Sequence, residues 1–395
     1  MTKNEKRTTK NEPRVTIYSL AFGGEGVGRI DGKVCFVEDA LPGEEVRFRT
    51  IKETDSYIKG TLLEVITPSP DRVKPACPYY GKCGGCQLQH ISYKKELHYK
   101  REQAVELIRR IAGIKDFNCE TIVASSDPYH YRSSVTLHRG KGGEIGYYAR
   151  DARTVLEIKG CPIAEESINE ALKKLPKGFK ADRFTLKSDH NGRVWTSGKE
   201  GERFFWDKYR EKEIVLSPRI FSQCNRYIAE KVSEIIDEWA GTVEEGTGFF
   251  DLFCGAGFFS FLTRAGYGVK IGIDSERTAI DCAKTTMRKY VPPNMKFYKA
   301  EVEKEFFKIF ERNKLAKNTV LLDPPRKGLQ KAFLEKLKSV PDITGIYYLS
   351  CDPARLARDI KLITEEGAWK LGRTQFFDMF PRTKHIETLA EFVRP

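Results

Sequence analysis

From Val15 to Ile66 apolar and polar positions alternate in short runs separated by glycines and by the Asp31-Gly32 turn. This is the period of half-buried strands joined by tight turns. It predicts a small antiparallel barrel of oligonucleotide-binding (OB) type over residues 14–68, with nucleic-acid binding, protein binding and a purely structural role all open. Residues 1–13 have no apolar periodicity and are rich in Lys, Thr, Asn and Glu, so a disordered tail is expected there. The proline-rich PSPDRVKPACP, residues 68–78, marks a linker. Beyond it Leu97, Ala104, Ile108 and Ile111 form one stripe at helical spacing, with Ser92 before it and Gly113 after it. They predict a helix over 92–113 whose other face is basic and which can pack on a downstream domain. Between about 121 and 214, strand-like segments alternate with turns around a short helix near 164–174, giving a central, mostly β domain over 69–215. From 216 the period changes. GFFDLFC, VKIGID, MKFYKA, NTVLLD and GIYYLSC are buried-strand runs, each followed by a helix-like segment, the signature of a doubly wound α/β sheet over 216–395.

Chemistry collects where those runs end. DLFCGAG, residues 251–257, places Gly255 and Gly257 in a strand-to-helix turn that can approach a ligand. It is not the G-x-G-x-x-G dinucleotide pattern, but resembles the S-adenosylmethionine turn of Rossmann-like methyltransferases. Asp274 ends the next run, where a carboxylate can accept from ribose hydroxyls or cap the following helix. Asp323 opens DPPRKG, and Arg326 in that turn can contact a substrate or shape the pocket; a rigid turn with no chemistry is the plainer alternative. DPPR resembles the D-P-P-Y of amine methyltransferases without its stacking aromatic. Cys351, in SCDP, follows another buried run and precedes a helix, a place where a thiol pKa can be depressed. Asp251, Asp274, Asp323 and Cys351 would then converge on one crevice, while Cys254 and Cys282 read as small buried residues.

A chain of 395 residues exceeds one ordinary core. Its 68 Lys and Arg against 55 Asp and Glu give +13, which favours a polyanion such as nucleic acid or simply keeps the surface solvated. No apolar run approaches the roughly 20 residues of a membrane span, and the basic start lacks a secretory h-region, so a cytoplasmic protein away from membranes is expected. CPYYGKCGGC holds Cys77, Cys83 and Cys86. Three cysteines make a poor disulfide framework, and thiolates there suit zinc or an iron–sulfur cluster once a fourth ligand is found.

CPYYGKCGGC, FSQCN at 221–225, DLFCGAG, DPPRKG, SCDP and HIE at 385–387 stand in the order found in RNA uracil-5-methyltransferases, which the chain resembles over nearly its whole length. The resemblance implies a Rossmann-like α/β S-adenosylmethionine methyltransferase domain, an OB-like β-barrel (TRAM) and a central iron–sulfur domain. It implies Cys351 as the nucleophile that adds to uracil carbon 6 and Glu387 as the base. It places Gln223, Phe253, Asp274, Asp323 and Glu301 around S-adenosylmethionine, with Gln223 and Asp323 also near the uracil. A [4Fe–4S] cluster on Cys77, Cys83, Cys86 and Cys161 follows in the same way. Phe258 and Glu301 stand where the family often has Asn. Tyr131 and Arg132 are further candidate RNA contacts, with ordinary strand packing equally open for Tyr131. The expected partner is a structured RNA, 23S ribosomal RNA first and transfer RNA next, methylated by a monomer. Methylation of cytosine or of an amine, and a noncatalytic RNA-binding or redox-sensing role, remain alternatives that Cys351 and Glu387 distinguish.

Overall fold

The computed structural model describes residues 12–176, 179–198, 203–292 and 294–394; most of the tail expected over 1–13 lies outside them. The chain divides into two compact units, Met1–Gln103 with Arg382–Lys384, and Ala104–Pro381 with His385–Pro395.

The alternating pattern of the first unit becomes a six-stranded sheet. Its strands are β1 (Arg14–Thr16), β2 (Ser19–Leu20), β3 (Glu25–Ile30), β4 (Lys33–Glu38), β5 (Glu45–Glu53) and β6 (Tyr57–Thr67), in the order β1-β5-β6-β4-β3-β2. Neighbours are antiparallel except β4 and β6. Val15, Cys35, Val37, Val46 and Phe48, on alternate positions, form its core. Glu44 is fully buried and accepts from Arg72 Nε at 2.5 Å and from the backbone N–H groups of Leu41 and Ser69. That carboxylate fixes the proline-rich linker to the sheet. In the cysteine loop the Tyr80 hydroxyl donates to Asp39 Oδ1 at 2.9 Å and also lies against Gln87 O and His90 Nδ1.

Helix α1 (Tyr93–Leu107) departs from the expected basic outer face. Glu96 and Lys100 are both buried and form an ion pair at 2.8 Å, joined by Arg382 at 3.2 Å. Buried charges of this kind persist only as a mutually paired set. The helix runs on as a π-helical turn, Ile108–Ala112, and closes at Gly113 with φ 76°. Ala104, Val105 and Ile108 belong to the core of the second unit, where β7 (Asn118–Cys119) joins the main sheet.

The second unit contains an antiparallel five-stranded sheet made of β8 (Ser134–Arg139), β9 (Ile145–Tyr148), β10 (Val155–Glu157), β11 (Arg183–Ser188) and β12 (Val194–Thr196), with α2 (Glu166–Lys173). A hairpin, β13 (Phe205–Tyr209) and β14 (Lys212–Leu216), leads to α3 (Arg226–Ala240). The Rossmann-like part then alternates strictly: β15 (Thr247–Leu252), α4 (Phe258–Leu262), β16 (Val269–Asp274), α5 (Arg277–Tyr290), β17 (Met295–Lys299), α6 (Val302–Asn313), β18 (Lys317–Leu322), α7 (Lys331–Ser339), β19 (Ile343–Ser350), α8 (Pro353–Thr364). Two further strands, β20 (Lys370–Phe377) and β21 (Glu387–Val393), complete an eight-stranded sheet in the order β17-β16-β15-β18-β19-β21-β20-β7. Strands β15 to β19 run parallel, and β21 lies antiparallel between β19 and β20. Chain progress reverses between β15 and β18, which opens a crevice at their carboxyl ends.

The last segment, HIETLAEFVRP, looks too polar for a core strand, yet Glu387 to Phe392 are all buried. Glu391 is tolerated because Arg373 of β20 donates to it at 2.6 and 2.7 Å.

Candidate active site

The backbone of DLFCGAG makes the turn the sequence anticipates. Phe253, Gly255 and Gly257 have φ of 65°, 53° and 80°. Left-handed backbone is cheap for glycine and strained for phenylalanine, so Phe253 holds it only because its surroundings enforce it. Phe253 N and Cys254 N both donate to Ile273 O, at 2.9 and 3.1 Å. At Gly255 an added Cβ would meet nothing within 4 Å, so the turn faces open space. Asp274 Oδ2 accepts from Gly255 N at 2.9 Å, and Oδ1 from Glu276 N at 2.8 Å. Asp274 therefore braces the turn; the cap of α5 is Glu276, which accepts from Thr278 N.

Asp251 does not share the crevice with the other strand-end groups. It lies inside β15, is fully buried, and accepts from Ser260 N and Oγ at 3.0 and 2.6 Å. Burial pushes its carboxyl up to about 6. Glu301 is also turned away: its carboxylate pairs with Lys304 at 2.6 Å on the surface, and that hydrogen bond holds it below its usual range.

Asp323 follows β18, and its N–H donates to Leu252 O at 3.2 Å, which sets it beside the end of β15. Burial, reinforced by Asp251 and Asp274, pushes its carboxyl up to about 8. Gln223 is buried and its Nε2 lies 3.5 Å from Asp323 Oδ2.

Cys351 and Glu387, 36 positions apart, are brought together by strand register. Ser350, the last residue of β19, pairs with Thr388 of β21, so the next residue on one strand faces the preceding residue on the other. Glu387 is buried, 4 % exposed. Its carboxyl lies well above the ordinary range because of burial and then Asp323, with Arg326 opposing. The Cys351 thiol is pushed up to about 12 by burial first and Glu387 second, while Arg326 lowers it by charge and hydrogen bonding. This overturns the expected depression by the helix terminus. Asp352 caps α8, accepting from Ala354 N and Arg355 N at 3.1 Å, so the amides that would favour a thiolate already serve a carboxylate. Arg326 is instead the cation that offsets the local negative charge, and His385 Nε2 stands 3.5 Å from it. His385 was not singled out as a site residue; its place in HIE beside Glu387 was the available signal.

Tyr131 is buried and its hydroxyl donates to Pro381 O at 3.0 Å, so it serves packing rather than RNA contact. Arg132 donates to Ser134 O at 3.0 Å. Cys77, Cys83, Cys86 and Cys161 are each half-buried. Gly85 N donates to Cys83 Sγ at 3.4 Å, and Asn169 Oδ1 accepts from Cys161 N at 2.8 Å. Among the described residues no group of three or more His, Cys, Asp or Glu is arranged to hold a metal ion. No helix among them is long and apolar enough to cross a membrane.

A sheet with five parallel strands, a glycine turn at its switch point, and a thiol and a carboxyl converging on the same edge fits a Rossmann-like methyltransferase. Residues 208–392 match the model of the tRNA (uracil-5-)-methyltransferase family, and residues 6–63 match the TRAM domain. Uncharacterized RNA methyltransferases of Clostridium tetani and Aquifex aeolicus are each 30 % identical, the first over 96 % of both chains and the second over 96 % of this chain and 98 % of its own. A solved structure of Pyrococcus abyssi tRNA (uracil-54, C5)-methyltransferase in complex with S-adenosyl-L-homocysteine has the same fold, with TM-score 0.73 and 23 % identity over 96 % of this chain and 100 % of that one. The chain belongs to the RNA uracil-5-methyltransferase family and is a methyltransferase enzyme.

Proposed function

We propose that the protein methylates carbon 5 of a uridine in structured ribosomal or transfer RNA, with S-adenosylmethionine as donor, through a covalent adduct on Cys351. The juxtaposition of Cys351 and Glu387 across the β19–β21 pair carries this reading.

The turn fits the donor: it opens to empty space at Gly255, and Asp274 stands behind it. S-adenosylmethionine supplies an electrophilic methyl group when bound there. Carbon 5 of uracil is a poor nucleophile until a nucleophile adds to carbon 6. The Cys351 thiol gives up its proton to solvent, its sulfur forms that bond, and the displaced π electrons make carbon 5 enolate-like, so it takes the methyl group and S-adenosylhomocysteine is released. The Glu387 carboxylate then removes the carbon 5 proton, the electron pair restores the ring double bond, and the thiolate leaves. Burial disfavours the ionised forms of both residues, and Arg326 is the cation that opposes it at each of them. Asp323, with its carboxyl at about 8, carries a proton at neutral pH and donates to a uracil carbonyl. A base within folded RNA must leave its stack to reach this crevice. The six-stranded sheet is read as the OB-type barrel that holds the RNA, consistent with the charge of +13.

Cys77, Cys83, Cys86 and Cys161 are proposed to hold a [4Fe–4S] cluster. Four thiols suit iron or zinc, and the N–H donor to Cys83 Sγ suits a metal-bound thiolate. Anaerobically purified protein should contain about four iron and four sulfide per chain; a colourless protein loaded with zinc contradicts the assignment.

With S-adenosylmethionine and unmodified RNA, the wild type should form 5-methyluridine, and Cys351→Ala none. Product formation by Cys351→Ala at the normal rate refutes the covalent route. Mass-spectrometric mapping of both RNA classes identifies the target.

A further inference from the structure

Gln223 is buried, but the stretch leading into it is not fixed by packing alone, since Phe221, two residues before it, is 74 % exposed. What holds the loop comes from the five-stranded sheet and the segments beside it. Lys187 of β11 is buried, 3 % exposed, and its ammonium donates to Ile220 O and to Ser222 Oγ at 2.9 Å. On the other side of Gln223, Ser133 N and Oγ both donate to Cys224 O, at 2.8 and 3.0 Å. Asn225 Nδ2 donates to Ser125 Oγ at 3.0 Å, and Arg226 donates to Asp207 Oδ2 at 3.1 Å and to Ser188 O, next to Lys187 in β11. Gln223 is thus the one side chain of residues 222–226 that reaches Asp323, between neighbours tied to the scaffold.

A buried ammonium is costly and survives only where its hydrogen bonds are needed. Burial lowers the Lys187 ammonium to about 8, and its hydrogen-bond acceptors here are a neutral carbonyl and a hydroxyl rather than a carboxylate. A leucine or methionine at this strand position would satisfy the core, so packing does not explain the lysine. Its reach does: it spans from β11 to the two loop positions that precede Gln223.

We infer that Lys187 is a positioning residue, which sets the Gln223 amide against Asp323 so that the pair receives the target base in one orientation. The inference rests on the proposed placement of Gln223 and Asp323 at the uracil. Lys187 touches neither RNA nor the reacting atoms; it acts only through the loop.

A double-mutant cycle tests this, run on the full chain at a temperature where circular dichroism shows every variant folded. Lys187→Met should lower kcat/KM for RNA by about tenfold to a hundredfold. In a Gln223→Ala background the same substitution should cost nothing further, because it has no other route to the reaction. Ser222→Ala removes one of the two acceptors on a half-buried side chain; it should show a smaller loss with the same coupling, and it carries the test if Lys187→Met does not fold. Equal losses with and without Gln223, or wild-type kcat/KM in both Lys187→Met and Ser222→Ala, overturn the inference. If Gln223→Ala is itself fully active, the inference fails along with that placement of Gln223, whereas the Cys351→Ala assay still reports on the covalent reaction separately.

Discussion

Asp323 illustrates how a buried carboxyl ties stability to pH. Its ordinary value is 3.8 and its folded value is about 8. The folded protein therefore holds this proton more tightly than the unfolded chain. The resulting stability is fully present below about pH 4 and is lost as pH rises through about 8. Glu387 is raised too and contributes in the same direction, while the loss due to Asp251 is complete once pH passes about 6. The ligand-free protein should melt at a lower temperature at pH 8.5 than at pH 6.5. Asp323→Asn, which cannot ionise, should flatten that decline; an unchanged slope would mean that Asp323 ionises normally. Asp323 was legible because it follows a buried run in the sequence, and Glu387 only through the HIE motif of the family. Their protonation was not, since it depends on the burial and neighbouring carboxyls that folding assembles. Cys351 makes the point most clearly: its helix start suggested a lowered thiol pKa, and Asp352, the very next residue, cancels that benefit.

At the scale of elements, the five buried runs from GFFDLFC to GIYYLSC became β15 to β19 because continuous apolar stretches leave no other way to be covered on both faces. Strands β20 and β21 were not anticipated. Glu387, Thr388 and Glu391 interrupt the apolar pattern, and only the pairing of Glu391 with Arg373 makes that strand fit to bury. The same blindness applied to α1, whose face opposite the apolar stripe reads as basic and where Glu96 and Lys100 are a buried pair. Glu301 followed the family position but not its environment, because Lys304, one turn on, captures it. Element ends also carry stability of their own. The Asp352 cap makes two 3.1 Å hydrogen bonds to the first turn of α8, so Asp352→Ala should cost about 1 kcal/mol in denaturant unfolding. A loss below a few tenths would show that water replaces the cap fully.

For the whole molecule, the RNA-binding class was legible from charge, the strand-rich start and the motif order, and membership in the family bears this out. The target RNA is not legible in the same way, because loops and surfaces that read RNA shape leave no periodic trace. What the fold does show is how a cysteine and a glutamate far apart in sequence come together: an antiparallel strand inserted beside β19 returns the chain to the crevice from the opposite direction. The most direct test of the account traps the step between the two residues. Glu387→Gln, incubated with S-adenosylmethionine and unmodified substrate RNA, should accumulate an RNA–protein adduct that survives denaturation, carries the transferred methyl group, and maps by peptide mass spectrometry to Cys351. Normal release of 5-methyluridine RNA by this variant, or an adduct on any other residue, would contradict it.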